Sequence, residues 1–319
     1  MIKPKPKVSI AVISYNSNST IVETLNSILN QDYGAHNIEL VISDDGSNDK
    51  TVTTVKSWLK TNASSFFKVK TFFNNKNQGV PHNCNIAWKA CEQLWIKSIA
   101  ADDILLSHCI SSFISFVSEN SDAKVIFSYM KWFGEIEDIT PKIYQLDFFS
   151  QCASEQHEHL KYFSFNIAPT SFIHNETLKS IEYADERYTL FEDLPLWLKF
   201  TSNNIKLYFN NEITVRYRIG DSISKTSDRF INVNFVKNCI QLNKDYKLEK
   251  FPSIKWFLKN EELFLYHSQI LLVKLFKNKR NPNFYIYRLL WFFVPFTVFS
   301  KLKIKLKRTI FIKTNDPLK

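Results

Sequence analysis

The chain has 319 residues, of which 45% are hydrophobic and 23% charged, which excludes a disordered or fibrous protein and favours one large globular domain with an appendage. Gly is scarce at 5 residues and neither G-x-G-x-x-G nor G-x-x-x-x-G-K-[ST] occurs, so the composition disfavours a Gly-rich dinucleotide or phosphate loop. The net charge of +10 is confined to one end, because residues 274–319 carry 12 Lys or Arg and one acid. The rest of the chain has 29 basic and 30 acidic residues, and this nearly neutral main part counts against nucleic acid as a partner.

Strand and helix patterns alternate five times in the first 130 residues. Short apolar runs predict strands at residues 8–14, 38–42, 67–73, 95–100 and 125–130. Apolar side chains recur at helical spacing between these runs, and Thr20 with Glu23 predicts a capping box at the start of the first helix. Ile86 and Ala90 mark the predicted buried face of the third helix. We therefore predict an α/β fold with a doubly wound, mainly parallel sheet.

Polar side chains follow three of these strands at the point where each strand ends. Tyr15 follows the first strand, Asp44 and Asp45 follow the second, and Asp102 and Asp103 follow the fourth. In a parallel sheet these turns meet at one edge, where open α/β folds bind their ligands. An aromatic ring suits stacking on a base, and paired carboxylates suit ribose hydroxyls or a divalent cation, so the set suits a nucleoside diphosphate. Each also has a structural interpretation, as a turn after the second strand or as a helix N-cap after the fourth.

The βα alternation stops after residue 130. Residues 131–165 predict an irregular acceptor-side insertion, and residues 166–173 predict a loop that enters a short strand. Glu192 and Asp193 then begin a predicted helix, with Pro195 tolerated in its first turn. Two acids at this position either interact favourably with the helix N-terminus or have a catalytic role.

The last ninety residues predict helices and a basic surface. Helical patterns cover residues 262–276 and 284–300, and the apolar run at 289–300 is only 12 residues long, too few for a membrane-spanning helix. A basic run with interleaved apolar residues follows at 301–308. The pattern favours a segment lying in the interface of an anionic membrane, with a packed helical hairpin or a dimer contact as the alternatives.

Cysteine usage and the N-terminus predict where the protein works. The five Cys are scattered and form no C-x-x-C pair, which favours a reducing cytoplasm over a disulfide framework or a zinc site. Alternating Lys and Pro open the chain before a strand, which is not the pattern of a signal peptide. The predicted location is therefore cytoplasmic, peripheral on the inner face of the cell membrane.

Five segments between residues 8 and 224 carry a family resemblance. They are VSIAVISYNS, SILNQDY, ELVISDDGSNDKT, NKNQGVPHNCNIA and WIKSIAADDILL. Together they resemble the inverting family-two glycosyltransferases of the GT-A fold, which build bacterial surface polysaccharides. The resemblance implies a GT-A catalytic domain at 1–229 and a helical, membrane-associating region at 230–319. The catalytic domain would combine a Rossmann-like nucleotide-sugar half at about 7–130 with an acceptor half at about 131–229.

The resemblance also implies roles for individual residues. It implies that the nucleotide-sugar is bound by Tyr15, Asp44, Asp45, Asn85, Asp102 and Arg218. Asp103, assisted by Asp102, matches the position that holds a divalent metal, Mn or Mg. The segment EDLPLW is similar to the family's EDxxxW, which makes Asp193 the catalytic base and leaves Glu192 to orient it or to bind acceptor hydroxyls. Inverting transfer needs such a base to be separate from the metal pair.

Three positions depart from the family pattern. Ala100 stands where Asp is common, so metal binding is expected to rest on two acids rather than three. Cys84 stands where Arg is common, with His82 and Asn83 either replacing it or supporting the helix start. Gly220 stands where His is common in the YRxH…SxS loop that closes over the diphosphate.

We therefore predict an enzyme that moves a sugar from a UDP-linked donor, with inversion, onto a lipid-linked glycan. Its pathway would be the biosynthesis of O-antigen, capsule or exopolysaccharide, and its C-terminal region would contact an anionic membrane surface. One alternative is a polyprenyl-phosphate sugar synthase. The other is a non-catalytic protein that binds membrane or nucleic acid through its basic end.

Overall fold

The protein is described from a computed structural model, which covers residues 5–134, 146–162, 167–220, 229–247 and 254–302. The chain divides into two compact units, Met1–Gly220 and Asp221–Lys319. The predicted domain boundary at residues 229 and 230 lies a few positions further along and stays a prediction, as do the predicted halves of the catalytic domain.

One mixed sheet organises the first unit. Its described strands are β1 (Val8–Ser14), β2 (Ile38–Asp44), β3 (Lys68–Phe73), β4 (Trp95–Ala100), β5 (Ile104–Leu105), β6 (Val125–Gly134), β7 (Phe172–His174) and β8 (Leu207–Ile219). They lie in the order β3-β2-β1-β4-β7-β6-β8-β5. The first four in this order are parallel, β6 and β8 are parallel, and β7 and β5 run antiparallel to their neighbours. The predicted α/β sheet and its five strands are confirmed.

Helices cover the sheet of the first unit. They are α1 (Ile21–Leu29), α2 (Thr51–Asn62), α3 (Val80–Ala90), α4 (Cys109–Glu119), α5 (Leu146–Ser150), α6 (Ala153–Leu160), α7 (Asn175–Ser180) and α8 (Asp193–Ser202). Strands β1 and β2 are buried almost throughout, since helices cover both of their faces. The segment at residues 131–165 was predicted to be irregular, which is wrong for its described parts, because they include the end of β6 and the helices α5 and α6.

Two local predictions about helices in this unit are wrong. Thr20 and Glu23 do not form a capping box, because the Thr20 hydroxyl donates to the Ala101 carbonyl at 2.9 Å and Glu23 pairs with Arg218. The buried face of α3 was predicted from Ile86 and Ala90, both of which are only half-buried. Its buried positions are Pro81, Asn83, Cys84, Asn85, Ala87 and Trp88. Polar side chains occupy this face because they hydrogen-bond to strand ends and loops.

The second unit is helical in its described parts. It contains α9 (Val233–Tyr246), α10 (Ile254–Phe276), α11 (Arg280–Leu289) and a 3₁₀ turn at Leu290–Phe293, and residues 295–302 are helical again. One helix over 284–300 was predicted, but Val294 interrupts it with φ −133° because Pro295 disfavours helical backbone at the residue before it. Among the described helices we find none with both the length and the apolar character needed to cross a bilayer.

Candidate active site

The carboxyl ends of three parallel strands bring the predicted site residues to one edge of the sheet. Strand β1 pairs with β2 on one side and β4 on the other, with Ser14 opposite Asp44 and Ile13 opposite Ala100. Tyr15 follows β1 and is 44% exposed, so its ring is available for stacking. The interpretation of Asp103 as a helix N-cap is wrong, because the short strand β5 follows it and α4 begins only at Cys109.

Asp44 is buried and organises the loop after β2. Its carboxylate accepts hydrogen bonds from the hydroxyl of Ser14 at 2.7 Å and from both the backbone N–H and the hydroxyl of Ser47, at 2.9 and 2.6 Å. The Ser47 hydroxyl in turn accepts from the backbone N–H of Asn16, which ties this loop to the loop after β1. Asp44 therefore sets the shape of the site edge through contacts within the chain.

Asp45 holds the segment that leads into α3. One oxygen accepts from the backbone N–H of Gln78 at 3.0 Å and the other accepts from that of Gly79 at 2.9 Å. Gly79 has φ +102°, and a Cβ there would lie 2.4 Å from the carbonyl oxygen of Thr189, so only glycine fits. The Thr189 carbonyl also accepts from the N–H of Val80, which links Asp45 to the segment preceding α8.

Asp102 and Asp103 form the first carboxylate pair. Asp103 is fully buried, and one of its oxygens accepts from the backbone N–H of Arg218 at 2.9 Å, while the guanidinium of Arg218 donates to the Asp102 carbonyl at 2.8 Å. Burial, followed by the charge of Asp102, raises the pKa of Asp103 well above its usual range. Burial also raises the pKa of Asp102, against an opposing effect of Arg218.

The donor set of this pair fits a hard divalent cation. The Oδ2 atom of Asp103 is buried and accepts no hydrogen bond in the part of the chain described here. Carboxylate oxygens are the protein ligands that Mg²⁺ and Mn²⁺ prefer, and Mg²⁺ commonly takes one or two of them together with substrate phosphates. Among the residues that the structure describes, no group of three or more His, Cys, Asp or Glu is placed to hold a metal.

Glu192 and Asp193 form the second pair, at the start of α8. Glu192 occupies the N-cap position, and the Asp193 carboxylate accepts from the N–H of Leu194 at 2.7 Å. Burial and the neighbouring charge of Asp193 raise the pKa of Glu192 to about 7, and burial raises that of Asp193. A carboxylate with a raised pKa binds a proton more strongly, which suits a general base.

The hydroxyl of Tyr217, a residue that the sequence analysis missed, is influenced by acids of both pairs. Burial raises the pKa of Tyr217, and the charges of Asp103, Asp102 and Asp193 raise it further. Asp193 follows Asp103 by 90 residues in sequence, yet the charges of both acids act on this one hydroxyl. The sequence signal for this residue is the resemblance to the YRxH loop, in which Tyr217 stands directly before Arg218.

Asn85, His82 and Asn83 hold the site together through contacts within the chain. The Asn85 amide donates to the Ala184 carbonyl at 3.0 Å and to Glu186 at 2.7 Å, and its oxygen accepts from the Ala184 N–H. His82 bonds to Glu186 at 2.8 Å. Each of these three side chains has partners in the protein, so a role for Asn85 on the nucleotide stays a prediction.

Asn83 joins α3 to the ends of two strands. Its amide donates to the carbonyls of Ser14 and Ser43, both at 3.2 Å, and its oxygen accepts from the Ser43 hydroxyl at 2.5 Å. The side chain is buried, and three hydrogen bonds compensate for its removal from water. It therefore fixes the start of α3 against the edge where the acids lie.

Lys97 is a second residue that the sequence analysis missed. It lies in the middle of β4, is fully buried, and donates to the carbonyls of Ser98 at 2.8 Å, Pro169 at 2.5 Å and Ser171 at 3.3 Å. An ammonium has three N–H donors, so these three carbonyls match its capacity. Burial lowers the pKa of Lys97 to about 8, and the charge of Asp103 opposes this effect. A single Lys inside an apolar strand run was its sequence signal.

Comparisons with known proteins show what the chain is similar to. A sequence model of the family described as glycosyl transferase family 2 matches residues 9–178. The chain is 31% identical, over 66% of its length and 77% of the other protein's, to the UDP-Glc:alpha-D-GlcNAc-diphosphoundecaprenol beta-1,3-glucosyltransferase WfaP of Escherichia coli. It is 30% identical, over 38% of its length and 20% of the other protein's, to the poly(ribitol-phosphate) beta-N-acetylglucosaminyltransferase TarS of Staphylococcus aureus.

A solved structure shares the fold. The crystal structure of residues 1–349 of S. aureus TarS in complex with UDP-GlcNAc superposes with a TM-score of 0.58 at 20% identity. The match covers 82% of this chain and 72% of that one. The predicted GT-A architecture is thereby confirmed.

Proposed function

Because the chain belongs to glycosyl transferase family 2, we propose that it moves a sugar from a UDP-linked donor onto a lipid-linked saccharide, with inversion at the anomeric carbon. The name of WfaP, which specifies a diphosphoundecaprenol-linked acceptor, supports this acceptor class. The product would enter a bacterial surface polysaccharide such as O-antigen, capsule or exopolysaccharide. Nucleic acid has no part in the proposal.

One observation carries the proposal: two separate pairs of adjacent carboxylates lie by one cavity, which is lined by Ala100, two residues before Asp102, and by Glu192. One pair, Asp102 and Asp103, follows β4, which pairs in parallel with β1. The other, Glu192 and Asp193, begins a helix. Glycosyl transfer with inversion needs a negatively charged leaving group to be stabilised at one point and a proton to be removed at another. Two distinct acid pairs supply these two functions.

Asp193 is the proposed base. It takes the proton from an acceptor hydroxyl while that oxygen bonds to the anomeric carbon, and the bond from this carbon to the diphosphate oxygen breaks. Its raised pKa favours uptake of the proton. Glu192 precedes it at the N-cap and either orients it or binds acceptor hydroxyls.

The nucleotide side of the site follows from the sheet edge. The exposed ring of Tyr15 would stack on the base, and Asp44 with Asp45 would present the loops that hold the nucleoside. Asp103, assisted by Asp102, would hold Mn²⁺ or Mg²⁺, which supplies positive charge to the departing diphosphate when bound. The guanidinium of Arg218 lies beside the same pair and would add to this charge.

A transfer assay with Asp193→Asn tests the base. With a UDP-sugar and a lipid-linked saccharide, we expect kcat to fall about 10²- to 10⁴-fold while the affinity for UDP is kept. Asp122→Asn is the matched control, since Asp122 is an exposed residue in the turn before β6. Full activity of Asp193→Asn would refute the assignment. Calorimetry with UDP and Mn²⁺ separates an enzyme from a non-catalytic protein, which would bind neither.

We also infer that the second unit contacts an anionic membrane surface, on the cytoplasmic side. Phe292 and Phe293 are 83% and 72% exposed on the 3₁₀ turn that follows α11. Arg288 precedes this turn, and Lys301 lies over the Trp291 ring at 4.3 Å. Exposed aromatic side chains beside cations suit the interface of an anionic bilayer, where apolar burial and electrostatic attraction act together.

Vesicle sedimentation tests this surface. The protein should bind vesicles that contain anionic phospholipid and bind neutral vesicles less. The double variant Phe292→Ser, Phe293→Ser should lose much of this binding, whereas Phe67→Ser, which changes an exposed Phe on the first unit, should keep it. Equal binding by both variants would contradict the assignment.

A further inference from the structure

A cavity of about 110 Å³ lies beside the two acid pairs. Ala100, two residues before Asp102, and Glu192, next to Asp193, both line it. Its volume is several times the ~10–15 Å³ that one water molecule requires. The cavity therefore has room for a substituent of several heavy atoms close to the residues that the proposed function assigns to metal and base.

The walls of this cavity are mostly apolar. Helix α3 contributes a stripe at four-residue spacing, Val80, Cys84 and Trp88, and α8 contributes Leu196 and Trp197. The Trp88 N–H is already satisfied, because it donates to the Ser98 hydroxyl at 3.2 Å. Burial, with the charges of Glu192 and Asp45, raises the pKa of Cys84 well above its usual range, so its side chain acts as a small neutral group. Most of this surface offers contact with carbon rather than hydrogen bonds.

Two lining residues, Ala100 and Glu192, bear on which group the cavity can bind. Ala100 is exposed at the end of β4, so the rim is formed by a methyl group and no carboxylate reduces the volume there. Glu192 is the only acidic residue among the described lining residues. Glu192 has two carboxyl oxygens, so in either protonation state one oxygen can accept from a donor N–H group while the other keeps the role toward Asp193 or the acceptor proposed above.

We propose that this cavity binds the N-acyl group of a 2-acylamino donor sugar such as UDP-GlcNAc, with the methyl group against Cys84, Trp88 and Ala100 and the amide N–H bonded to Glu192. A sugar hydroxyl in the same place would leave the apolar walls without contacts and the cavity largely empty. The inference rests on the proposed function and specifies its donor. Family membership does not choose the donor, since WfaP is named for UDP-Glc and TarS for N-acetylglucosaminyl transfer.

The first test compares donors. With the full chain and a lipid-linked saccharide acceptor, kcat/KM should be about 10- to 200-fold higher for UDP-GlcNAc than for UDP-Glc, the range of discrimination that an apolar pocket gives for one extra group. Binding of UDP alone is measured in parallel. If UDP does not bind, the proposed function fails and this inference fails with it. If UDP binds and the two donors are used equally, the pocket assignment alone is refuted.

Substitutions that change the cavity provide the second test. Ala100→Leu reduces its volume from the exposed rim and should bring the UDP-GlcNAc to UDP-Glc ratio toward one. The matched control Ala63→Leu lies before β3, at the opposite edge of the sheet, and should keep the wild-type ratio. An unchanged ratio in Ala100→Leu would overturn the proposal.

A third variant enlarges the cavity and does not depend on a loss of activity. Cys84→Ala removes the sulfur from the α3 wall, so the relative rate with a UDP-N-propionylglucosamine donor over UDP-GlcNAc should increase. A structural defect would lower both rates and leave their ratio as it was. A ratio that does not increase would place the acyl group elsewhere.

Discussion

Glu192→Gln tests the electrostatics of the second acid pair through the stability of the protein. The pKa of Glu192 is raised from 4.5 to about 7 by burial and by the charge of Asp193. The native state therefore binds this proton more tightly than the unfolded state. The free energy of unfolding should decrease as the pH rises from 4.5 to 7 and stay lower above 7, because ionised Glu192 is less stable in the fold than in water.

The size of this effect follows from the same pKa values. Each pKa unit corresponds to 1.36 kcal/mol, so the complete effect is about 3 kcal/mol, and most of it falls between pH 5 and pH 8. Gln keeps nearly the same shape without an ionisable group. Between pH 5 and pH 8, the free energy of unfolding should therefore fall by about 2–3 kcal/mol more in the wild type than in Glu192→Gln.

Urea unfolding at pH 5 and pH 8, followed by tryptophan fluorescence, measures the difference. Other acids act in the opposite direction: the Arg187 guanidinium beside Asp185 helps hold its pKa below the usual value. The comparison between variant and wild type removes such common contributions. Glu119→Gln is the control, since Glu119 is exposed at the end of α4. Parallel pH profiles for wild type and Glu192→Gln would refute the argument.

Three further predictions concern the framework of the site. In Asp103→Asn, Mn²⁺ should no longer increase the affinity for UDP in calorimetry, whereas affinity without metal should remain; retained dependence on Mn²⁺ would argue against Asp103 as the ligand. Asn83→Ala should lower the unfolding free energy by about 2–3 kcal/mol in urea, because the buried Ser14 and Ser43 groups lose their partner. The pKa of Lys97 is lowered from 10.5 to about 8, so the wild type should gain stability as the pH rises from 8 to 10.5. Urea unfolding at pH 7 and pH 10 measures this gain. Lys97→Met should lack it, whereas the control Lys60→Met, at an exposed position, should keep it.

The sequence alone determined the elements that local pattern controls. Largely apolar runs identified β1, β2 and β4, because strands covered on both faces bury most of their side chains. The polar side chains buried within them, such as Ser9, Glu39 and Lys97, are paired inside the fold. Parallel pairing then made the position of Tyr15, Asp44 and Asp103 at one edge predictable, since strands that run the same way end on the same side. The α8 boundary at Asp193 was predictable from acids followed by Pro in the first turn.

Tertiary structure decided what each of these residues contacts. The pattern of Thr20 and Glu23 indicates a capping box, yet the carboxylate of Glu23 forms an ion pair with Arg218 on β8, which is distant in sequence. Similarly, nothing in the local sequence relates Tyr217 to Asp193, because they belong to different elements, β8 and α8. Burial, which raises the pKa values of both acid pairs, is also a property of the assembled fold. The local sequence pattern therefore determines which segments become strands and helices. The partner that a side chain contacts, and how far it is removed from water, depend on segments that are distant in sequence.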